Sequence, residues 1–389
     1  MGINGLLKTL EFAQKSVTLE HYRGQTAAVD GYVWLHKGIY AAASDLAQGK
    51  PTDKHITYCM RKIAQVQHYG ITVVVVLDGA ALIAKSGEEY DRRKKREHAA
   101  KRASDIHREG DISKAHSIWA QSVEVTMEMA QLFINELRRA GVSFVVAPYE
   151  ADAQLAFLSK SGKVDFCISE DSDLLAFGCN RVLFKLDKFG SGIEISQEAI
   201  FRIDCMRGID REGFLLMCIL SGCDYLPSLP GIGPKKALGF VRASTSPTIE
   251  AVLRIARLDG FHVPRQYYAS VENARLTFLH QTVYDSDKGC VCPLNPLTDG
   301  ISHRSCFGPL YDDKTAVYLA QGGVPEKQET KENLEVMSSP ISVKKDDEGW
   351  IAKKPRLIVK ELGAYLSEKK PAIVSDKLKA LSAFSYSSI

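Results

Sequence analysis

Four runs of apolar and β-branched residues punctuate the first half of the chain, and each ends in acid. Thr26-Ala27-Ala28-Val29 runs into Asp30, and Thr72 to Leu77 (TVVVVL) runs into Asp78-Gly79. Val142 to Ala147 leads through Pro148 to Glu150 and Asp152, and Phe166 to Ser169 leads to Glu170, Asp171 and Asp173. Runs that are apolar throughout, rather than alternating, predict strands buried on both faces, as in a parallel sheet. Between them, helical spacing of apolar residues covers Ile56–Tyr69, Val123–Ala140 and Ala151–Ser161. The expected fold class is α/β, a mostly parallel central sheet flanked by helices. In such sheets the ligand crevice lies beyond the carboxyl ends of the strands. Four separate segments would therefore bring carboxylates to one edge.

A single acid after a strand is ordinarily a turn residue or a helix cap. A group of them is different, because close carboxylates repel one another unless cations neutralise them. The cluster therefore predicts a metal site.

From Gly79 to about Phe133 the pattern becomes polar, helical and strongly basic. Between Arg92 and Arg102 seven residues are Lys or Arg, Arg93 and Arg96 among them, against one acid, Glu97. Lys85 and Arg92 are seven residues apart, which places them on one helical face if the helix is continuous; Gly87 weakens that continuity. Asp105, Glu109 and Asp111 suit a solvated, salt-bridged helix. Beside an acidic cluster, the same stripe suits a grip on a phosphate backbone.

Further on, an apolar helix (Phe214 to Leu220) breaks at Gly222. A turn with Gly231-Ile232-Gly233 then opens a helix carrying Lys235 and Lys236. Glycines let a phosphate approach backbone N–H groups, and a helix N-terminus favours anions. With Asp224 before it and two lysines after it, this stretch resembles a helix-hairpin-helix element for sequence-independent duplex binding.

Composition narrows the picture without redirecting it. Of the 389 residues, 45% are hydrophobic and 25% charged, the balance of a globular protein with a sizeable core. No apolar run is long enough to span a bilayer and no basic-then-apolar leader opens the chain, so no membrane association is expected. Met1-Gly2 begins like a myristoylation site, but Leu6 stands where Ser or Thr is wanted. The net charge of +3 is too small to imply a polyanion partner; its distribution carries that argument. Nine scattered cysteines fit reduced thiols in the cytosol or nucleus. Cys290, Cys292, His303 and Cys306 form the one group to weigh as zinc ligands, although C-x-C is tighter than the usual pair. Glu326 to Asp347 has the composition of a linker, and Lys353-Lys354-Pro355-Arg356 matches a nuclear import cluster.

Taken together, five blocks carry a resemblance: the opening Met-Gly-Ile-Asn-Gly-Leu-Leu, AVDGYVWLHKG (28–38), VAPYEADAQLA (146–156), SEDSDLLAFG (169–178) and CILSGCDYLPSLPGIG (218–233). In this order the chain resembles the flap endonuclease and xeroderma-pigmentosum-G 5′ nuclease superfamily over roughly residues 1–320. Trp34 to Gly38, and Phe184-Lys185-Leu186-Asp187 through Phe189-Gly190, favour its eukaryotic exonuclease 1 branch. The resemblance implies a nuclease core over 1–325, made of an N-terminal region (1–99), a helical arch (79–133), an internal region (138–229) and a helix-hairpin-helix element (214–240). A flexible tail would follow over 326–389. By the same resemblance Asp30, Asp78, Glu150, Asp152, Asp171, Asp173 and Asp224 hold two Mg²⁺ ions, for which Mn²⁺ can substitute. Glu150, Asp152, Asp171 and Asp173 would form the inner group, and Lys85 and Arg92 the cationic pair at the foot of the arch. Ser221, Ser228 and Ile232 match a potassium-binding turn. Gly2, Tyr32, His36, Arg93, Arg96, Lys185, Gly231, Gly233, Lys235 and Lys236 are the expected DNA contacts. The implied activity is 5′-to-3′ double-stranded DNA exonuclease with 5′ flap endonuclease activity. Its implied substrates are DNA with nicks, gaps, recessed 5′ ends or 5′ flaps, and its implied partners mismatch-repair proteins in the nucleus. A predominantly flap-cutting enzyme and a catalytically decayed DNA-binding scaffold are the alternatives.

Overall fold

The computed structural model describes residues 2–47, 49–244, 246–297 and 301–324 (without the side chains of 44 and 47) and the backbone of 342–346 and 349–353. The chain divides after Gln328 into two units. In the second, Ser342–Asp346 pairs antiparallel with Gly349–Lys353. The linker, tail and import cluster expected there otherwise lie outside the described residues.

A seven-stranded sheet organises the first unit. Its strands are β1 (Gln14–Thr18), β2 (Thr26–Asp30), β3 (Thr72–Leu77), β4 (Ser143–Val146), β5 (Phe166–Ile168), β6 (Arg181–Phe184) and β7 (Ser191–Ser196). They lie in the order β1-β7-β6-β5-β2-β3-β4. From β6 to β4 every pairing is parallel, while β7 and β1 add an antiparallel edge. The mostly parallel α/β fold expected from the apolar runs is the one present.

Both faces of the sheet are covered, which is why the runs do not alternate. Ala27, Val29, Val73, Val75, Leu77, Phe166 and Ile168 point to one core. Helices Gly31–Ala47, Lys54–His68 and Met127–Arg139 contribute Val33, Leu35, Ile63, Val66, Phe133 and Leu137 to it. Ala28, Val76, Cys167 and Val182 point to the other core, where Leu155, Leu175 and Phe214 meet them from helices Ala151–Lys160, Asp173–Phe177 and Arg211–Leu220. Burying a Val or Leu side chain completely contributes about 1.5–3 kcal/mol, so this two-sided seam fixes the register firmly.

The basic insertion is a helical hairpin, Ser86–Arg108 followed by Ile112–Ser122. Ala103, Ile106, Ala115, Ile118 and Trp119 form its small core, which closes on Ala43. Gly87 lies inside the first turn and does not break the helix. Instead Lys85 stands outside it, in the 3-10 turn Ile83–Lys85. The condition for Lys85 and Arg92 to share one helical face, a continuous helix, is therefore not met, although the break falls at Lys85 and not at Gly87. The predicted helix at Val123 begins only at Met127, where the Thr126 side chain accepts a hydrogen bond from the Met129 N–H at 3.3 Å.

Helices Arg211–Leu220 and Pro234–Ala243 flank the glycine-rich turn, as the sequence suggests. Gly222 (φ 93°) and Gly231 (φ 82°) take the left-handed conformation that other residues resist. Beyond them, helix Arg265–His280 leads into a hairpin of β8 (Thr282–Asp285) and β9 (Cys290–Pro293). All nine cysteines are free. Cys290, Cys292, His303 and Cys306 do not assemble: no group of three or more His, Cys, Asp or Glu suited to hold a metal is formed among the described residues. His303 instead meets the Phe307 ring edge-on at 5.4 Å.

Candidate active site

The carboxyl ends of the parallel strands deliver the acids. Asp30 closes β2 and is buried; its Oδ1 accepts from the Val33 N–H at 3.0 Å and its Oδ2 from the Ser169 hydroxyl at 2.9 Å. Asp78 follows β3 and accepts from the Ala151 N–H at 2.6 Å, so it holds the start of helix Ala151–Lys160. Glu150 and Asp152 sit at that same helix start. After β5, Asp171 accepts from the Asp173 N–H at 2.9 Å, and Asp173 accepts from the Ile3 N–H at 3.0 Å. Several acids thus do act as caps, as single acids after strands should. They are also crowded: Asp30 feels Asp78 and Asp171, and Asp152 feels Asp171, Asp30 and Glu150.

Asp224 arrives from a different direction, in the turn after helix Arg211–Leu220. Its Oδ2 accepts from Lys85 Nζ at 2.8 Å and from an Arg92 guanidinium N–H at 2.8 Å. Lys85 also reaches Glu150 Oε1 at 2.5 Å. Arg92 is steadied by Glu88, four residues earlier, at 3.0 Å. The cationic pair expected at the foot of the arch therefore bridges two of the seven carboxylates.

Charge is unevenly matched across the cluster. Burial, then the neighbouring carboxylates, raise Asp30 to about 7. Burial raises Asp78 to about 6. Asp152, Asp171 and Asp173 are likewise pushed up, burial first and then the neighbouring acids. For Asp224 burial alone would do the same, yet Lys85 and Arg92 together hold it below its ordinary value. The same acids keep Lys85 well above the usual ammonium range despite its burial.

An all-carboxylate set of this kind suits a hard divalent cation bound through oxygen. The residues fit: buried acids with raised pKa values gain most from a nearby positive charge. As the side chains now stand, no three are gathered tightly enough to grip an ion among the described residues. Glu150 and Asp224 are drawn onto Lys85 and Arg92. Glu170, the remaining acid of its strand end, pairs with Lys37 at 2.5 Å.

The expected DNA contacts fall in several places. Gly2 (φ 74°) lies against the acids; a Cβ there would come within 2.6 Å of Ser172 Oγ and 2.7 Å of Asp173 Oδ1, so only glycine fits. Tyr32 is near enough to Asp78 that burial and that charge push its phenol up to about 12. For His36, desolvation and the charges of Arg96 and Arg92 lower the pKa. Arg96 pairs with Glu124 at 2.6 Å, and the exposed Arg93 lies over the Tyr90 ring at 5.6 Å. Lys185 takes a left-handed φ of 54° between β6 and β7, its N–H donating to Glu170 at 3.2 Å. Lys235 and Lys236 are exposed on the first turn after Gly231 and Gly233, Lys236 over the Phe261 ring at 4.8 Å. Around the turn, the Ser221 hydroxyl donates to the Met217 carbonyl at 2.6 Å, Ile232 is buried, and Ser228 abuts Gly222.

Residues 1–99 match the XPG N-terminal domain and residues 141–224 the XPG I-region. The chain is 40% identical over 330 residues to exonuclease 1 of Xenopus laevis, covering 83% of this chain and 45% of that protein. It is 33% identical over 298 residues to the DNA damage-inducible protein DIN7 of Saccharomyces cerevisiae, covering 76% of this chain and 67% of that one. The chain belongs to the XPG nuclease family. Nucleases of this family are metal-dependent. Of the Xenopus protein's length, and of the similar exonuclease 1 proteins of fish and plants, the chain spans about two fifths. The catalytic core of Rad2, solved in complex with a DNA substrate, shares the fold: TM-score 0.52 at 22% identity, over 70% of this chain and 86% of that one. No helix among the described residues is long and apolar enough to cross a membrane.

Two residues of this XPG-type site escape a reading of the sequence. The Tyr225 hydroxyl and the Gln281 amide, at 2.9 Å, both donate to Glu150 Oε2. Tyr225 stands beside Asp224 in the glycine-rich turn and was findable as its neighbour. Gln281 is a single polar residue between a helix and a strand, and no pattern marks it.

Proposed function

We propose that the chain is a divalent-metal-dependent DNA nuclease. It degrades double-stranded DNA from the 5′ end, cuts 5′ flaps, and serves repair and recombination in the nucleus. The observation that carries the reading is the seven-carboxylate cluster beyond the strand ends, bridged by Lys85 and Arg92 at the foot of a basic arch. The DNA complex of the Rad2 core and the exonuclease and DNA-damage names of the relatives support it. Partners such as mismatch-repair proteins follow from the family alone.

Asp30, Asp78, Glu150, Asp152, Asp171, Asp173 and Asp224 would hold the metal, which we take to be two Mg²⁺, with Mn²⁺ able to substitute. When bound, such ions activate water and stabilise the leaving 3′ oxygen in an in-line displacement. The chain's own groups do the rest. Lys85 and Arg92 exchange Glu150 and Asp224 for the scissile phosphate, where their charge is worth most as the transition state forms. Arg93, Arg96, Lys235 and Lys236 grip backbone phosphates without reading bases. Tyr32 and His36 flank the strand to be cut, and the turn bearing Ser221, Ser228 and Ile232 would hold a K⁺ ion, which would supply positive charge for a further phosphate. The product carries a 5′ phosphate.

Product analysis over time, on 5′-labelled and 3′-labelled duplex, nicked and flap DNA with Mg²⁺, tests this. Early release of 5′-labelled mononucleotides from recessed ends is expected. Initial loss of the 3′ label, or no cleavage of any substrate, would sink it. The arch, a helical hairpin with its own small core, favours a second reading in which flap cutting dominates. Release of a matched flap faster than degradation of a recessed duplex would select that reading.

A further inference from the structure

Glu150 is held by more partners than any other acid of the cluster, and they are divided between its two oxygens. Among the described residues Oε1 meets only Lys85 Nζ, at 2.5 Å. Oε2 accepts from the Tyr225 hydroxyl and from Gln281 Nε2. Both donors are neutral and both are fixed. Tyr225 is wedged edge-on against Phe278 at 4.9 Å and Phe177 at 6.4 Å. Gln281 is fully buried where helix Arg265–His280 gives way to β8. Its N–H donates to the Thr277 carbonyl at 3.1 Å and its carbonyl accepts from the Leu294 N–H at 2.9 Å, so its backbone has no freedom to move the side chain away.

The Gln281 amide is also oriented without ambiguity. Turned over, it would set two oxygens face to face against Glu150, so the nitrogen must point to the carboxylate. Its Oε1 then lies buried without a hydrogen-bond partner among the described residues. A buried amide oxygen left unpartnered costs about 1–3 kcal/mol. Packing alone would be better served by Leu or Met at this position.

We propose that Gln281, assisted by Tyr225, is a positioning residue for the metal site: it reserves Glu150 Oε2 and leaves Oε1 as the one oxygen presented to a divalent cation. Lys85 occupies that oxygen until the cation and a phosphate draw it away. The inference rests on the metal-site reading above and adds a specific task for a residue more than fifty positions beyond the last acid of the cluster. Groups that orient a metal's ligands typically change affinity or activity 10- to 100-fold when removed.

The test uses the full chain and Mn²⁺ as the probe, read by electron paramagnetic resonance in the absence of DNA, beside steady-state cleavage with Mg²⁺. Gln281→Leu keeps the volume and removes the donor. Its Mn²⁺ Kd should rise about tenfold and kcat should fall 10- to 100-fold, while KM for a duplex substrate and DNA binding in EDTA stay as in the parent. If Gln281→Leu does not fold, Gln281→Asn, one methylene too short to reach Oε2, reads the same quantities. Tyr225→Phe should give a smaller change in the same direction. Parental Mn²⁺ affinity and kcat in whichever Gln281 variant folds overturn the proposal. Asp173→Ala, run alongside, separates the two failures: if it too retains Mn²⁺ binding and cleavage, the metal-site reading falls; if it alone loses them, only the role of Gln281 falls.

Discussion

The two flanks of the acidic cluster are built on opposite electrostatic plans. On the helical flank, Glu150 and Asp224 are hydrogen-bonded to Lys85 and Arg92, and Asp224 is held below its ordinary pKa. On the sheet flank, Asp30, Asp171 and Asp173 accept from backbone N–H or hydroxyl groups, Asp152 faces its neighbours' like charge, and all four are pushed upward. Residues of the same type, in one cluster of one fold, thus stand in opposite electrostatic settings. The helical flank carries cations that a phosphate can claim. The sheet flank feels Lys85 too weakly to offset burial and mutual repulsion, and gains most from divalent ions. Cations on both flanks would have satisfied the protein and left nothing for a ligand to complete.

The strongest way to break this contrast is Asp173→Ala. It removes an acid of the sheet flank and should lower cleavage on the order of 10³-fold, the upper range for loss of one preorganised charge-stabilising group. DNA binding, measured by fluorescence anisotropy in EDTA, should remain near the parent's. Unchanged cleavage would place the chemistry elsewhere.

Lys85→Ala examines the other flank. Cleavage should fall about 10²-fold, yet Mn²⁺ affinity should hold or increase, because Glu150 loses a competing cation. Loss of Mn²⁺ binding in this variant would mean that the two flanks act as one unit, contrary to the division drawn here.

Metal removal combined with pH gives a smaller and subtler effect. Asp30 at about 7 and Asp78 at about 6 lie above their ordinary value of 3.8. A carboxyl group whose pKa is raised by folding contributes stability at low pH, and that contribution is lost as pH rises through the folded value. In EDTA the Tm should therefore fall by roughly 5 °C between pH 5 and pH 8. Saturating Mg²⁺ should offset most of the fall by binding only the folded state. A metal-free Tm that is flat or rising across that window contradicts the picture of a sheet flank with too little counter-charge.

The sheet flank and Glu150 were legible in the sequence; the rest of the helical flank largely was not. Apolar strands buried on both faces leave an unmistakable run, and Asp30, Asp78, Glu150, Asp152, Asp171 and Asp173 stand at the ends of such runs. Asp224 follows a buried helix and a glycine instead, so only the resemblance placed it with the others. The antiparallel edge was missed because β1 reads QKSVT and β7 reads SGIEIS, with too little apolar pattern to announce a strand. The start of the arch helix stayed open in the sequence because a 3-10 turn and the first turn of a helix have almost the same spacing. Gln281 leaves no sequence signal, since a polar residue between two elements is most often solvated. Its burial arises from the meeting of helix Arg265–His280, β8 and the start of helix Ala151–Lys160, which is a fact of tertiary structure alone.

Asp173 accepts its hydrogen bond from the N–H of Ile3, 170 residues earlier, and Glu150 takes one from Gln281, 131 residues later. A chain emerging from the ribosome folds its early segments first. Here the sheet can begin to form while the acids along its edge still lack Asp224, Tyr225 and Gln281. The last piece that orients Glu150 is supplied only after about 280 residues have been made. An intermediate of synthesis that stops short of Gln281 would carry most acids of the site without the group that orients Glu150.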